Sequence, residues 1–322
     1  MVIPQTVSVT SCPGPKWAEN IAYTRATGAA GAGHRAAWYL RPLRDRTLEE
    51  LRRSERLFAD ETTAPVLDPG RGRTKTGQLW AYARDDQSWG GNDPPMVAYV
   101  YAPDRKAERP GTHLGDFAGI LQVDGYGGYT ALAKRRQQVF LAFCWSHVRR
   151  KFYELADNSQ VATEILRRIA MLYVIEDEVR GLPAEQRRAA RADHSRVIVE
   201  DLKPYLEARL RQVSAKSKLA EAIRYALGRW NGLTHFLDDG RIDLDTNTVE
   251  RSIRPIALNR KNALFAGSDE GGDNWAVIAT LIENCKLSGI NPHDWLTRTL
   301  DALANGHPAN RLAELMPWIA VP

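Results

Sequence analysis

Residues 56–67 read RLFADETTAPVL, a short run of branched and aromatic residues with an acid, Asp60, set among apolar neighbours. Such a run reads as a β-strand. Two more follow, QLWAYARDD at 78–86 and MVAYVYAP at 96–103. The clusters Asp68-Pro69-Gly70 and Gly90-Gly91-Asn92-Asp93-Pro94-Pro95 separate the three, and Pro and Gly at that density mark turns. Three strands in succession predict a β-meander. Further on, residues 113–118 predict a short helix, GILQVD at 119–124 a fourth strand, and VFLAFCW at 139–145 a fifth, which leads into a basic helix over 146–156. The glycine turn Gly125-Tyr126-Gly127-Gly128-Tyr129 lies between the last two strands.

Working outward, Trp38, Leu40, Leu43, Leu48, Leu51 and Leu57 predict one or two helices upstream of the first strand. Residues 1–36, with Pro13-Gly14-Pro15 and the small-residue run ATGAAGAG at 26–33, carry no apolar periodicity and predict a poorly ordered, divergent leader. Downstream, residues 160–235 are helical in pattern throughout, interrupted at Gly181-Leu182-Pro183. After the turn Asp238-Asp239-Gly240 comes DLDTNTVERSIRPIALNRKN at 243–262, and the last sixty residues alternate helical runs with breaks. No internal repeat is present. The order predicts an α/β fold: a ribonuclease H-like mixed sheet flanked by helices, with an α-helical insertion at about 157–240 and a small helical C-terminal element at 263–322.

The 322 residues suffice to bury a sizeable core. Apolar content of 43% with 26% charged residues is that of a soluble globular protein. No apolar run is long enough to span a bilayer, and no secretory signal opens the chain, so a cytoplasmic protein is expected. The net charge is +5, and 34 of the 44 basic residues are arginine. Arginine suits bidentate phosphate contacts, although a GC-rich genome produces the same bias. Cys12, Cys144 and Cys285 form no CxxC pair, which argues against a disulfide framework or a four-ligand zinc site. Buried free thiols are the expectation.

Three carboxylates draw attention. Asp60 lies inside an apolar strand, where an acid is costly unless paired, solvated or bound to metal; Glu61 is its rival. Asp124 ends the fourth strand. If the two strands are neighbours, both carboxylates project toward one point, and a hard divalent cation needs only two or three such oxygens beside its waters. An Asp before Gly is also an ordinary turn residue. Glu250 is the third. With Asp245 or Thr246 as N-cap, Val249, Ile253 and Ile256 form the buried face of a helix, and Asn247, Glu250, Arg251 and Arg254 the opposite one. A carboxylate for metal beside guanidiniums for phosphate suits strand cutting, whereas a surface Glu250–Arg254 ion pair is the plain alternative.

LFADETTAPVLDPGRGRTKTGQLW at 57–80, LQVDGYGGY at 121–129, CWSHVRRKFYELA at 144–156 and IDLDTNTVERSIRPIALNRKNALFAGSDEGG at 242–272 together closely resemble transposases of the insertion sequence 66 family. The resemblance runs from about Ala36 to Trp318. It implies a ribonuclease H-like catalytic domain, here about 37–262, whose Asp-Asp-Glu triad binds two divalent ions, Mg2+ or Mn2+. Carried over by motif, the triad and metal ligands are Asp60 in ADET, Asp124 in VDGY and Glu250 in NTVERS. The helical insertion accounts for the long gap before Glu250.

His147, Arg149, Arg150 and Lys151 open a helix right after a strand and are candidates for the scissile phosphate or flanking DNA. Arg251, Arg254, Asn259, Arg260 and Lys261 are candidates to line a groove for the DNA end. Arg71, Arg73 and Lys75 form a basic loop suited to backbone contacts or simply a solvated hairpin. Trp80, Trp89 and Trp145 read as core or edge packing rather than base-stacking platforms. The implied partners are double-stranded DNA, as transposon ends and target, accessory proteins of the same element, and further copies assembled on DNA, in a bacterial, nucleoid-associated setting and with no membrane. Family members carry a long N-terminal part with a zinc-binding module and a helix-turn-helix, which supply base contacts. None of that pattern precedes the match here, so a shortened form is expected. Two readings follow: a strand-transferring enzyme, or a remnant or regulator that folds and binds DNA or full-length transposase. A generic ribonuclease H-like nuclease is the third.

Overall fold

Alternation along the first strand explains why it lies mid-sheet. The computed structural model describes residues 30–68, 70–259 and 264–319. Strand β1 (Arg56–Asp68) turns Leu57 and Ala59 to one face and Phe58 to the other, and all three are buried. A strand covered on both faces lies between helical layers. β1 pairs antiparallel with β2 (Arg73–Arg84), which pairs antiparallel with β3 (Met96–Ala102). On its other side β1 pairs parallel with β4 (Gly119–Val123), and β4 pairs parallel with β5 (Val139–Phe143). The sheet order is β3-β2-β1-β4-β5. This mixed five-stranded sheet between helices is the ribonuclease H-like arrangement expected from the order of elements.

Helices α1 (Ala30–Arg52), α2 (Arg109–Leu114) and α3 (Gly127–Arg135) reach the first face. There Leu48, Leu51, Leu114, Tyr129 and Leu132 pack on Leu57, Ala59, Trp80, Tyr82 and Val123. Helix α4 (Trp145–Tyr153) follows β5. The insertion comprises α5 (Gln160–Glu178), α6 (Ala184–Ala190), a π-helical turn (Arg191–Ser195), α7 (Arg196–Gln212), α8 (Lys218–Leu227) and α9 (Trp230–Thr234). It shares a core with α4 and the β5 edge: Trp145 stacks edge-on with Trp230 at 6.0 Å and its indole N–H donates to the Leu233 carbonyl at 2.8 Å.

The second face is covered by α10 (Asn247–Asn259) and α11 (Asp269–Leu287). Val249, Ile253 and Ile256 are buried against Phe58, Leu79, Ala81 and Tyr99, as the helical spacing predicts. Each contributes roughly 1.5–3 kcal/mol by burial, so α10 and the residues on its polar side are firmly placed. α11 does more than pack. The Val97 N–H donates to the Asn284 side chain at 3.1 Å, and the Tyr99 N–H to the Thr280 hydroxyl at 2.9 Å. Two helix side chains thereby close the outer edge of β3, which an uncovered strand would leave open to association. α11 also joins α12 (Pro292–Ala304) and α1 in a cluster around Leu40, Leu281, Trp295 and Leu300.

Several boundaries differ from the sequence expectation. β2 begins at Arg73 rather than 78 because the exposed Arg73-Thr74-Lys75-Thr76 arm pairs with β1 as far as Asp68↔Arg73; polar residues at an exposed hairpin give no apolar signal. Pro65 fits inside β1 because its carbonyl accepts from the Ala266 N–H at 2.9 Å, so its missing N–H faces that same edge and breaks no bond to β2. α2 lies at Arg109–Leu114 instead of 113–118, ended by Gly115 at φ +53. α1 starts at Ala30, inside the stretch expected to be a leader; the rest of that expectation, residues 1–29, lies outside the described residues.

Gly240, between the insertion and α10, abuts the start of α6: a Cβ there would lie 1.7 Å from the Ala184 carbonyl oxygen. Backbone cannot swing aside as a side chain can. Gly240→Ala is expected to destabilise the protein by about 1–3 kcal/mol, measured by urea denaturation; an unchanged midpoint would show that this contact is not close in solution.

Candidate active site

Register places the first two acids. β1 and β4 align Phe58 with Gln122 and Ala59 with Val123, so Asp60, next on β1, and Asp124, the first residue past the end of β4, follow the last aligned pair. Side chains two apart share a face, and Phe58 faces α10 and α11; Asp60 and Asp124 therefore look to that same side. Glu61, left open by the sequence as a rival, points the other way. There it pairs with the Arg105 guanidinium, whose Nε donates at 2.7 Å, and accepts the Tyr129 hydroxyl at 3.2 Å. It already has its counter-ion on the opposite face.

Glu250 arrives from α10, on the turn that follows the buried Val249. Its carboxylate accepts the Thr246 hydroxyl at 2.9 Å and lies 3.9 Å from His147 Nδ1. Among the described residues the alternative Glu250–Arg254 pair is not formed. The three acids sense one another. Burial first, then the Asp124 charge, pushes the Asp60 carboxyl up to about 7, with Glu61 and Glu250 adding to the push and the Glu61 N–H, donating at 2.7 Å, opposing it. Burial also raises Asp245, helped by Asp243 and Glu250. Among the described residues neither Asp60 nor Asp124 has an Arg or Lys ion pair. Crowded oxygens without an Arg or Lys partner are a donor set that a hard divalent cation neutralises.

The basic candidates divide. His147, in the first turn of α4, faces Glu250; contact with the Cys144 thiol draws its imidazole up to about 9 against the opposing effect of burial. Arg149 is exposed with its guanidinium 5.6 Å from the Tyr153 ring centroid, and Arg150 is exposed near Glu154 at 3.7 Å. Lys151 turns to the insertion, 3.9 Å from Glu221 and 4.7 Å from the Tyr225 ring. Arg254 is exposed, and Arg251 lines a cavity at the start of α10 with Tyr173, Arg180, Arg187 and Asn247. Arg260 and Lys261 lie outside the described residues; Asn259 ends α10. Arg71 and Lys75 find Asp68 and Asp269 at 3.6 and 2.6 Å, while Arg73 is exposed at the hairpin. Trp80 and Trp145 are fully buried and Trp89 partly so, its N–H donating to Asp86 at 3.3 Å.

Sequence reasoning missed two groups. One is the buried ionic chain that seats the insertion: Arg56 meets Asp243 at 2.8 Å, Asp243 meets Arg187 at 2.8 Å, and Glu176 takes Arg187 at 3.1 Å and Arg191 at 2.6 Å. An arginine opening an apolar strand was its one visible sign. The other is Cys144, which sits with His147 and Glu250 so that one donor atom from each falls within 4.8 Å of the others. The spacing Cys144-x-x-His147 was the signal available.

Comparison with known proteins returns the same region. Residues 18–274 match the family model described as "Transposase IS66 family", and residues 280–318 match the "IS66 C-terminal element". Among curated relatives, the uncharacterized proteins y4qI, y4jD and y4hP of Sinorhizobium fredii (strain NBRC 101917 / NGR234) are 49%, 45% and 38% identical. The alignments cover 93%, 89% and 93% of this chain but 57%, 58% and 57% of those proteins. The chain thus spans less than three-fifths of the length of the curated relatives it matches. Among the described residues no helix is long and apolar enough to cross a membrane.

Proposed function

Because the chain belongs to the IS66 transposase family, we propose that it cuts DNA strands at the ends of an insertion sequence and joins them to target DNA, using Asp60, Asp124 and Glu250 as metal ligands. The observation that carries this reading is the pairing of β1 with β4, which sets Asp60 beside Asp124 on the face that α10 covers with Glu250. Asp60, Asp124 and Glu250 would hold the cations. Divalent cations held there, two Mg2+ or Mn2+, would supply activation of a water or 3′-hydroxyl and stabilisation of the leaving oxygen.

The chain's own part is orientation and grip. The Thr246 hydroxyl aims Glu250, and the buried stripe of α10 holds it to the sheet. Arg149, Arg150, Arg251 and Arg254, exposed on α4 and α10, contact phosphates, with His147 beside Glu250 and Lys151 on α4; Arg260 and Lys261, outside the described residues, join them on the strength of the sequence alone. The partners on this reading are transposon-end and target duplexes, accessory proteins of the same element and further copies on DNA, in the bacterial cytoplasm at the nucleoid.

The test is nicking of a labelled duplex bearing the element's end. The protein is expected to nick it in Mg2+ or Mn2+ and not in EDTA, with Glu61→Gln still active because Glu61 lies on the other face. Metal-independent cutting, or preference for an RNA–DNA hybrid over the duplex, would sink the proposal.

A further inference from the structure

We propose that Cys144, His147 and Glu250 form a site for a borderline-soft transition metal, with Zn2+ the cation it takes. The geometry comes from two elements. Cys144 follows β5 in extended backbone (φ −88, ψ 120) as the residue that caps α4, and His147 lies in the first turn of that helix. The Cys-x-x-His spacing thus turns a thiol and an imidazole to one side. Glu250 comes across from α10, its Oε1 3.9 Å from His147 Nδ1, and one donor atom from each residue lies within 4.8 Å of the other two. Bond lengths of about 2.0–2.3 Å to zinc imply donor separations of roughly 3.3–3.8 Å in a tetrahedron. A side-chain shift of about 1 Å closes the set around an ion.

Two further observations favour a metal. His147 Nδ1 is shielded from solvent and has no hydrogen-bond partner, and a buried ring nitrogen without a partner calls for a ligand. The donor set is also selective. Sulfur and imidazole nitrogen suit Zn2+, whereas Mg2+ demands oxygen. Three protein ligands leave the fourth position open, as in zinc sites that bind water or substrate. Cys144, buried at 2% exposure, is protected from casual oxidation.

The consequence rests on the proposed role of Glu250, although the binding does not. If one carboxylate serves both sites, a soft ion held with Cys144 and His147 withdraws Glu250 from Asp60 and Asp124. Zn2+ then opposes Mg2+-supported cutting at a concentration set by its own site.

The experiment is titration of the full chain with Co2+ as a spectroscopic stand-in, without DNA. One equivalent is expected to produce a thiolate-to-cobalt charge-transfer band and the strong visible bands of four-coordinate cobalt. Zn2+ should abolish both stoichiometrically, and Mg2+ in large excess should not. Cys144→Ser should lose the charge-transfer band, Glu250→Gln and His147→Gln should weaken Co2+ binding by about tenfold or more, and Asp124→Ala should keep the band. The proposal is overturned if the parent shows no thiolate band, if the band survives Cys144→Ser, or if Asp124→Ala removes it. Should Cys144→Ser fail to fold, His147→Gln decides, and unchanged Co2+ affinity overturns the site. Nicking in Mg2+ with and without one equivalent of Zn2+ then tests the shared carboxylate. A cobalt site without nicking counts against the triad, and nicking without a cobalt site counts against this inference.

Discussion

Asp60→Asn is expected to reduce metal-dependent cutting by about a thousandfold or more and, in the metal-free protein at pH 8, to raise the melting temperature. The first effect follows from losing a charged ligand; three decades correspond to about 4 kcal/mol of barrier. The second follows from the crowding that lifts Asp60 from 3.8 to about 7. Between those values the unfolded chain has released a proton that the folded protein still holds, so parent stability falls as pH rises from about 4 toward 7. By pH 8 the deficit reaches at most about 4 kcal/mol. The asparagine removes that deficit. Its advantage should therefore be full above pH 7 and absent near pH 4. Mn2+ should reverse the order, stabilising the parent and not the variant, with parent affinity rising about tenfold per pH unit up to 7 as the ion displaces the proton. Thermal melts at pH 4 and 8, with and without Mn2+, check all of this. A variant that melts lower at pH 8, or still cuts, would remove Asp60 from the cluster.

Arg191→Ala is expected to lower stability by about 3–5 kcal/mol, more than most single changes. Arg191 has no exposed surface. Its Nε and Nη2 donate to Glu176 at 2.6 and 2.7 Å, and it also donates to the Phe236, Asp239 and Ile242 carbonyls at 2.9, 3.1 and 2.8 Å. Removing it leaves a carboxylate and three carbonyls buried with fewer donors. Replacing both partners, Arg191→Met with Glu176→Met, should be less damaging than Arg191→Ala alone, because no buried carboxylate is then left with only part of its donors and Arg187 keeps Asp243 at 2.8 Å. Urea denaturation measures both. Cutting should also decline well below the melting temperature. Through Glu176, Arg187, Asp243 and Arg56 the chain of charges joins the insertion to the first residue of β1 and to the segment leading into α10, which together carry Asp60 and Glu250. Equal losses in the single and double variants would show that the charge is not what seats the insertion.

Local pattern determined much of this protein. The alternation of Leu57, Phe58 and Ala59, the turns at Asp68–Gly70 and Gly90–Pro95, and the spacing of Val249, Ile253 and Ile256 specify strands, hairpins and a helix from neighbours in the chain alone, since burial on a strand or helix repeats with a fixed period. The four long motifs identified the family, and with it the acids to examine. Pairing lay beyond reach of any local rule. Only the parallel contact of β1 with β4 sets Asp60 beside Asp124, sends Glu61 to the far face and gives Arg105 its partner, because a one-residue change of register exchanges the two faces. The same holds for side chains that meet across long stretches of chain: Asn284 on the edge of β3, Arg56 on Asp243, and Cys144 with His147 beside Glu250. Such contacts follow from how the layers stack, a property of the whole assembled core that no window of sequence contains.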